Sequence, residues 1–154
     1  MAKETPKSSS SPLSQLEENL DLYFGQKAPA LPTGAKEAIV NFAPWITVVM
    51  LFVSLPPVLA ILGIGSIMAP FSFLGGVNAG YSYMLSLIFL ALSMVLEALA
   101  IPGLFKKTKA GWNFVFYSTL VNILSNLVHY QFMNLVIGGL ISFYLLFQVK
   151  SYYK

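Results

Sequence analysis

Residues 38–96 read AIVNFAPWITVVMLFVSLPPVLAILGIGSIMAPFSFLGGVNAGYSYMLSLIFLALSMVL, with Glu37 before them, Glu97 after them and no charged side chain between. An uncharged apolar stretch of about 18 residues or more is a candidate membrane span, and this run has room for two. Residues 110–149, AGWNFVFYSTLVNILSNLVHYQFMNLVIGGLISFYLLFQV, form a second uncharged run. A single helix of about 40 residues would be roughly 60 Å long, twice the thickness of a hydrocarbon core. The chain therefore has to turn within each run. The expected fold is all-α, an integral membrane four-helix bundle, with spans at about 44–65, 81–101, 111–128 and 132–149.

Composition agrees with that class. Of the 154 residues 56% are hydrophobic and 10% charged, against about 25% charged in a soluble domain. No cysteine is present, which removes disulfides, thiolate nucleophiles and cysteine metal sites. Every basic residue is a lysine, and the net charge of +3 is modest, so nucleic acid is not an expected partner. The opening MAKETPKSSSSPLSQLEENL is polar where a secretory signal is apolar. Ala2 stands where myristoylation needs glycine, so anchorage is expected from the spans themselves.

Two parts follow, a cytoplasmic tail over 1–36 and a transmembrane domain over 37–154. The serine run Ser8–Ser11 with Pro12 cannot bury a core and is expected to be disordered. Over 13–24, Leu13, Leu16, Leu20 and Tyr23 recur at helical spacing, with Glu17, Glu18 and Asp21 on the other side. This is a short amphipathic helix whose polar face is acidic rather than lysine-rich. Docking on protein, lying on lipid and fraying in solvent all remain open for it. Thr33 is placed to cap a short helix through Asn41, and Pro44-Trp45 to open the first span. Pro56 and Pro57 stand in the middle of that span and are expected to kink it near Leu55. Residues 66–80, SIMAPFSFLGGVNAG, read as the turn on the far side. Pro102-Gly103 is a breaker pair closing the second span, and length alone puts a reversal near His129-Tyr130-Gln131.

Four spans bring the amino terminus, the loop 102–111 and the carboxyl end to one side. All the lysines, Lys3, Lys7, Lys27, Lys36, Lys106, Lys107, Lys109, Lys150 and Lys154, fall there. Lysine-rich short loops stay cytoplasmic, so a multi-pass protein of the cell membrane with both ends inside is expected. Trp45, Trp112, Tyr152 and Tyr153 read as an aromatic belt on the lysine side, and Tyr81, Tyr83 and Tyr130 as one on the other.

Polar residues gather on two facing stripes. In the third span Ser118, Asn122, Ser125 and His129 follow helical spacing with Asn126 beside them, and apolar residues occupy the opposite face. In the second span Ser82, Ser86, Ser93 and Glu97 share a narrow arc. Antiparallel packing would place Glu97 near Tyr117 and Ser118, Ser93 near Asn122, and Ser86 near Ser125 and Asn126. Such a seam is either ordinary interhelical adhesion or a solute path. An ionisable residue at membrane depth is a functional candidate. Glu97, about one turn from the cytoplasmic end, is expected to pair with Lys106 or Lys107 or to bond Tyr117. Asn134, Gly138 and Ser142 form a small-residue stripe suited to helix packing, within the monomer or between copies.

Catalytic constellations are missing. His129 is the only histidine and has no convergent acid or cysteine, so neither a metal site nor a nucleophilic triad is expected, and no cofactor is called for. The chain is expected not to be an enzyme. Its expected partners are the lipid bilayer and other membrane protein, either a second copy or a larger complex; a small oligomeric transporter or channel is the alternative. Ala43-Pro44-Trp45, the stretch PGLFKKTKAGW over 102–112 and the ending LLFQVKSYYK over 145–154 together resemble small uncharacterised four-helix membrane proteins of bacteria, across residues 40–154. Some of that group carry a chromate-transporter label, and Phe73-Leu74-Gly75-Gly76 is similar to the Gly-Gly motif of those transporters. The resemblance implies a four-helix membrane fold and, through the label, anion transport. The chain departs from that pattern in having no arginine to attract an oxyanion and four spans where half of such a carrier has six.

Overall fold

The structure, a computed structural model, describes residues 11–154; the serine-rich segment expected to be disordered lies almost wholly outside the described residues. These residues are helical, without a strand among them. The elements are α1 (Pro12–Leu20), α2 (Thr33–Ser72), α3 (Val77–Phe105), α4 (Lys109–Val128) and α5 (Phe132–Val149). A π-helical turn (Asp21–Lys27) prolongs α1, and short 3-10 turns follow α2 (Phe73–Gly75) and α5 (Lys150–Tyr152). Three helical stretches, Thr33–Gly75, Val77–Phe105 and Phe132–Tyr152, are long and apolar enough to cross a membrane. At 20 residues α4 would be about 30 Å long, enough to cross, yet its Asn and Ser content keeps it out of that group.

The helices are longer and the turns tighter than the breaker residues suggest. Residues 33–44 do not form a separate helix: α2 runs unbroken from Thr33 through Pro44, Pro56 and Pro57 to Ser72. Thr33 does not cap it; Pro32 precedes the first turn and no side chain bonds there. The far-side reversal occupies only 73–76 instead of 66–80. It ends at Gly76, whose φ of 105° is open to glycine at little cost. Likewise Pro102-Gly103 does not end α3, which continues to Phe105. The turn is made by Lys107, at φ 52°, with Thr108 accepting the N–H of Gly111 as the cap of α4. The second reversal falls at His129–Gln131, where Tyr130 has φ 56°. No glycine marks it; the positive φ falls on a tyrosine.

Helix α3 packs against α2 and α4, and α5 packs against α4 and more lightly against α2. The core lies at the lysine-bearing end: Val40, Ala100, Leu104, Trp112, Phe116, Leu146, Phe147, Val149 and Tyr153 form one buried cluster. Trp112 and Tyr153 are thus core residues and not members of a surface belt. Trp112 is 1% exposed and donates from Nε1 to the Leu146 carbonyl at 3.0 Å. A buried indole N–H needs such an acceptor. Trp45, by contrast, is 61% exposed and edge-on to Phe105. Away from this core the helices present apolar side chains outward, among them Phe52, Ile64, Ile67 and Met133. A lipid-covered surface looks like that, and water would not favour it.

The amphipathic segment docks on its own chain. Glu17 and Asp21 face Lys150 at 2.9 and 3.7 Å, and Phe24 meets the Phe143 ring. Gln148, buried between them, donates to the Phe24 carbonyl at 2.9 Å and accepts from the Leu31 N–H at 3.1 Å. Tyr144 donates to the Pro29 carbonyl at 2.8 Å. Glu17 and Asp21 therefore turn inward with Leu20, while Glu18, Leu13, Leu16 and Tyr23 stay exposed.

Candidate functional site

Helices α3 and α4 face each other along the two polar stripes. The closest approach is at the lysine end, where a Cβ on Gly103 or on Gly111 would run into the other's backbone. From there the helices diverge enough to admit side chains between them. Ser118, 4% exposed, donates to Glu97 Oε1 at 3.4 Å, a long and weak bond. Among the described residues Glu97 has no ion pair. The expected lysine partners are elsewhere, with Lys107 Nζ donating to Asn41 Oδ1 at 2.9 Å. Tyr117 does not bond Glu97 either; its ring lies against Phe116 and is partly exposed. The reason is the longer α3, which carries both loop lysines at least two turns beyond Glu97.

Two cavities open along this seam. One, of about 280 Å³, is lined by Glu97, Ser118, Thr119 and Asn122 together with Thr47 and Met50 of α2. The other, of about 250 Å³, is lined by Ser86, Ser93, Asn122 and Ser125 with Phe89 and Leu90. Asn122 belongs to both walls. It donates to the Ser118 carbonyl at 3.0 Å and is otherwise exposed. Ser93 is buried. Asn126 lines neither cavity, and its carbonyl accepts the Gln131 N–H at 2.8 Å in the reversal.

At the far end the seam closes on His129. Its Nδ1 lies 2.7 Å from the Ser125 carbonyl, which can only accept, so Nδ1 carries a proton. Nε2 lies against the Ser86 hydroxyl, whose single proton also has the Ser82 carbonyl within reach at 2.8 Å. The helical spacing that puts His129 on one stripe with Ser125 is legible in the sequence, and its contact with Ser86 follows from the matched depth of α3 and α4. Among the described residues no group of three metal-binding side chains converges.

Of the stripe Asn134, Gly138 and Ser142, the first two make no packing contact inside the monomer, while Ser142 lines a hollow with Ile39, Ala43 and Thr47 of α2. A Cβ on Gly138 would meet nothing within 4 Å, and Asn134 is exposed, bonded only to Gln131. The monomer uses Gly139 instead, which faces Ile123 of α4. Chemically, the seam offers hydroxyls, amides, one carboxyl and one imidazole, strung along two helices. Compared with family models, curated proteins and solved structures, the chain matches none.

Proposed function

We propose that this chain is a non-enzymatic membrane protein of four spans, with both ends cytoplasmic, which acts through assembly as a self-oligomer or as a subunit of a membrane complex. The observation that carries the reading is the uncovered polar wall at the middle of the helices. Glu97 is only half-buried and Asn122 is exposed, yet both stand among otherwise apolar helices. Polar groups at membrane depth face protein or water rather than lipid. A second chain laid over this wall would satisfy them, and interhelical bonds of about 0.6 kcal/mol each suffice for specificity. The outward stripe Asn134, Gly138 and Ser142 gives another surface where helices could approach closely. α4 counts as a span, the third in chain order, because Ser118 of its polar face is buried against Glu97 of α3.

Mild extraction from native membranes followed by native mass spectrometry tests this. A particle of fixed stoichiometry is expected, and Asn122→Trp, which fills the shared wall, should shift it toward monomer. A monomer as the sole species would overturn the proposal. A second reading, a small oligomeric transporter or channel of the kind the chromate-transporter resemblance implies, is favoured by one specific feature: the two cavities share Asn122 and so follow one line from Glu97 toward His129. Flux through proteoliposomes that is lost in Glu97→Gln would favour it over pure assembly.

A further inference from the structure

Beneath the docked amino-terminal segment lies a cavity of about 400 Å³. The π turn contributes Asp21 and Gly25, the first turn of α2 contributes Lys36, and the first turn of α4 contributes Lys109 and Trp112. The end of α5 and the following tail supply Lys150 and Tyr153. Three lysines from three helices thus line one concavity with a single carboxylate. Lys150 is already answered, by Glu17 and Asp21, and its ammonium sits over the Trp112 ring at 5.2 Å. Among the described residues neither Lys36 nor Lys109 meets a carboxylate within salt-bridge distance. Their charge is left over at the hollow, with Lys36 partly buried and Lys109 exposed beside the buried Trp112 and Phe147 rings.

A second observation is the wall itself. π turns are rare and recur at functional sites. This one holds Gly25 so close that a Cβ there would lie 2.7 Å from Asp21 Oδ1. The N-terminus of α4 does not supply the attraction, because the Lys109 N–H already donates to the Lys154 carbonyl at 2.9 Å. The lysine side chains do. Lysine binds phosphate as a point charge, and basic pockets at the cytoplasmic ends of membrane helices take anionic head groups.

We propose that this cavity binds a phosphate group, with Lys36 and Lys109 as its cationic ligands and Lys150 retained by the docked segment. The phosphate belongs either to an anionic lipid headgroup or to a soluble compound. The site lies within one chain and needs no assembly, so it stands or falls separately from the oligomeric reading.

The test uses the full chain in detergent with two probes. Native mass spectrometry compares retention of phosphatidic acid with that of phosphatidylcholine, and thermal unfolding is followed with and without inorganic phosphate. Preferential retention of phosphatidic acid without a phosphate shift identifies a lipid site. A phosphate shift without lipid preference identifies a soluble ligand, and both together a site for either. The double variant Lys36→Gln/Lys109→Gln should bind roughly 30-fold more weakly. Lys106→Gln/Lys107→Gln removes the same charge outside the cavity and should leave binding unchanged. No preference and no shift in the natural protein would overturn the proposal, as would equal losses in the two double variants.

Discussion

Single side chains at the lysine end show how the physical chemistry of one residue is settled by its neighbours. The indole of Trp112 has an apolar body and one N–H, which suits a membrane interface and a buried site with an acceptor equally well. Only the return of α5 alongside α4 supplies the Leu146 carbonyl, so the choice was not legible in the local sequence. Trp112→Phe removes the donor and strands that acceptor. A loss of about 1–3 kcal/mol is expected, read from denaturant or thermal unfolding in detergent; an unchanged midpoint would mean the bond contributes nothing. Tyr153 makes the same point with a titratable group. Burial pushes its phenol above the ordinary 10.0, because the charged form loses its water. The folded state therefore holds the proton more tightly than the unfolded chain. That contribution is complete below the unfolded value and is lost as pH rises through it and beyond. Tyr153→Phe should flatten the alkaline fall in unfolding midpoint above about pH 10. An unaltered pH profile would assign that fall to other groups.

At the scale of elements, helices were readable and their ends were not. Hydropathy marks where a helix must lie, while proline and glycine only bias where it stops. Pro102 costs α3 one N–H bond and brings its ring against the preceding turn, yet the helix carries through it to Phe105, and Gly103 serves packing instead of breaking. Across the turn, Gly103 and Gly111 let two backbones meet at a distance no side chain permits. Their separation in sequence straddles a loop, so no periodicity within one helix reveals the pairing. Gly111→Ala should therefore cost about 1–3 kcal/mol or more, as overpacking does, because its Cβ faces backbone that cannot swing aside. Gly63→Ala in α2, with open space around it, should be neutral or slightly stabilising by helix propensity. Comparing the two in one unfolding assay separates the effect of close approach from that of glycine as such. Similar costs for both would refute the assignment. The amphipathic segment is the reverse case. Its helix was legible from spacing, but its docking was not, because Glu17 and Asp21 find their partner at Lys150, at the far end of the chain.

For the molecule as a whole, the decisive asymmetry is that packing concentrates at the lysine end. There α2, α3, α4 and α5 share one core with the docked segment against it, while α2 and α3 are the longest helices and leave most of their length uncovered. The polar seam was foreseeable because stripes at helical spacing on two adjacent helices constrain each other. Its openness was not, since the width between packed helices depends on three helices at once. The same polar face weakens the hydropathy of α4, so whether it crosses the membrane has to be settled by sidedness. With no cysteine in the chain, single introduced cysteines report it cleanly. In right-side-out cells a membrane-impermeant maleimide should label Leu74→Cys and Tyr130→Cys, both in reversals at the far side, and should spare Ser14→Cys and Thr108→Cys until the membrane is opened. Four spans require Leu74 and Tyr130 to behave alike. If α4 instead stays on the cytoplasmic side, Tyr130→Cys will resist labelling together with Thr108→Cys while Leu74→Cys still reacts. Thr108 and Tyr130 sit at opposite ends of α4, so their contrast measures that one helix directly.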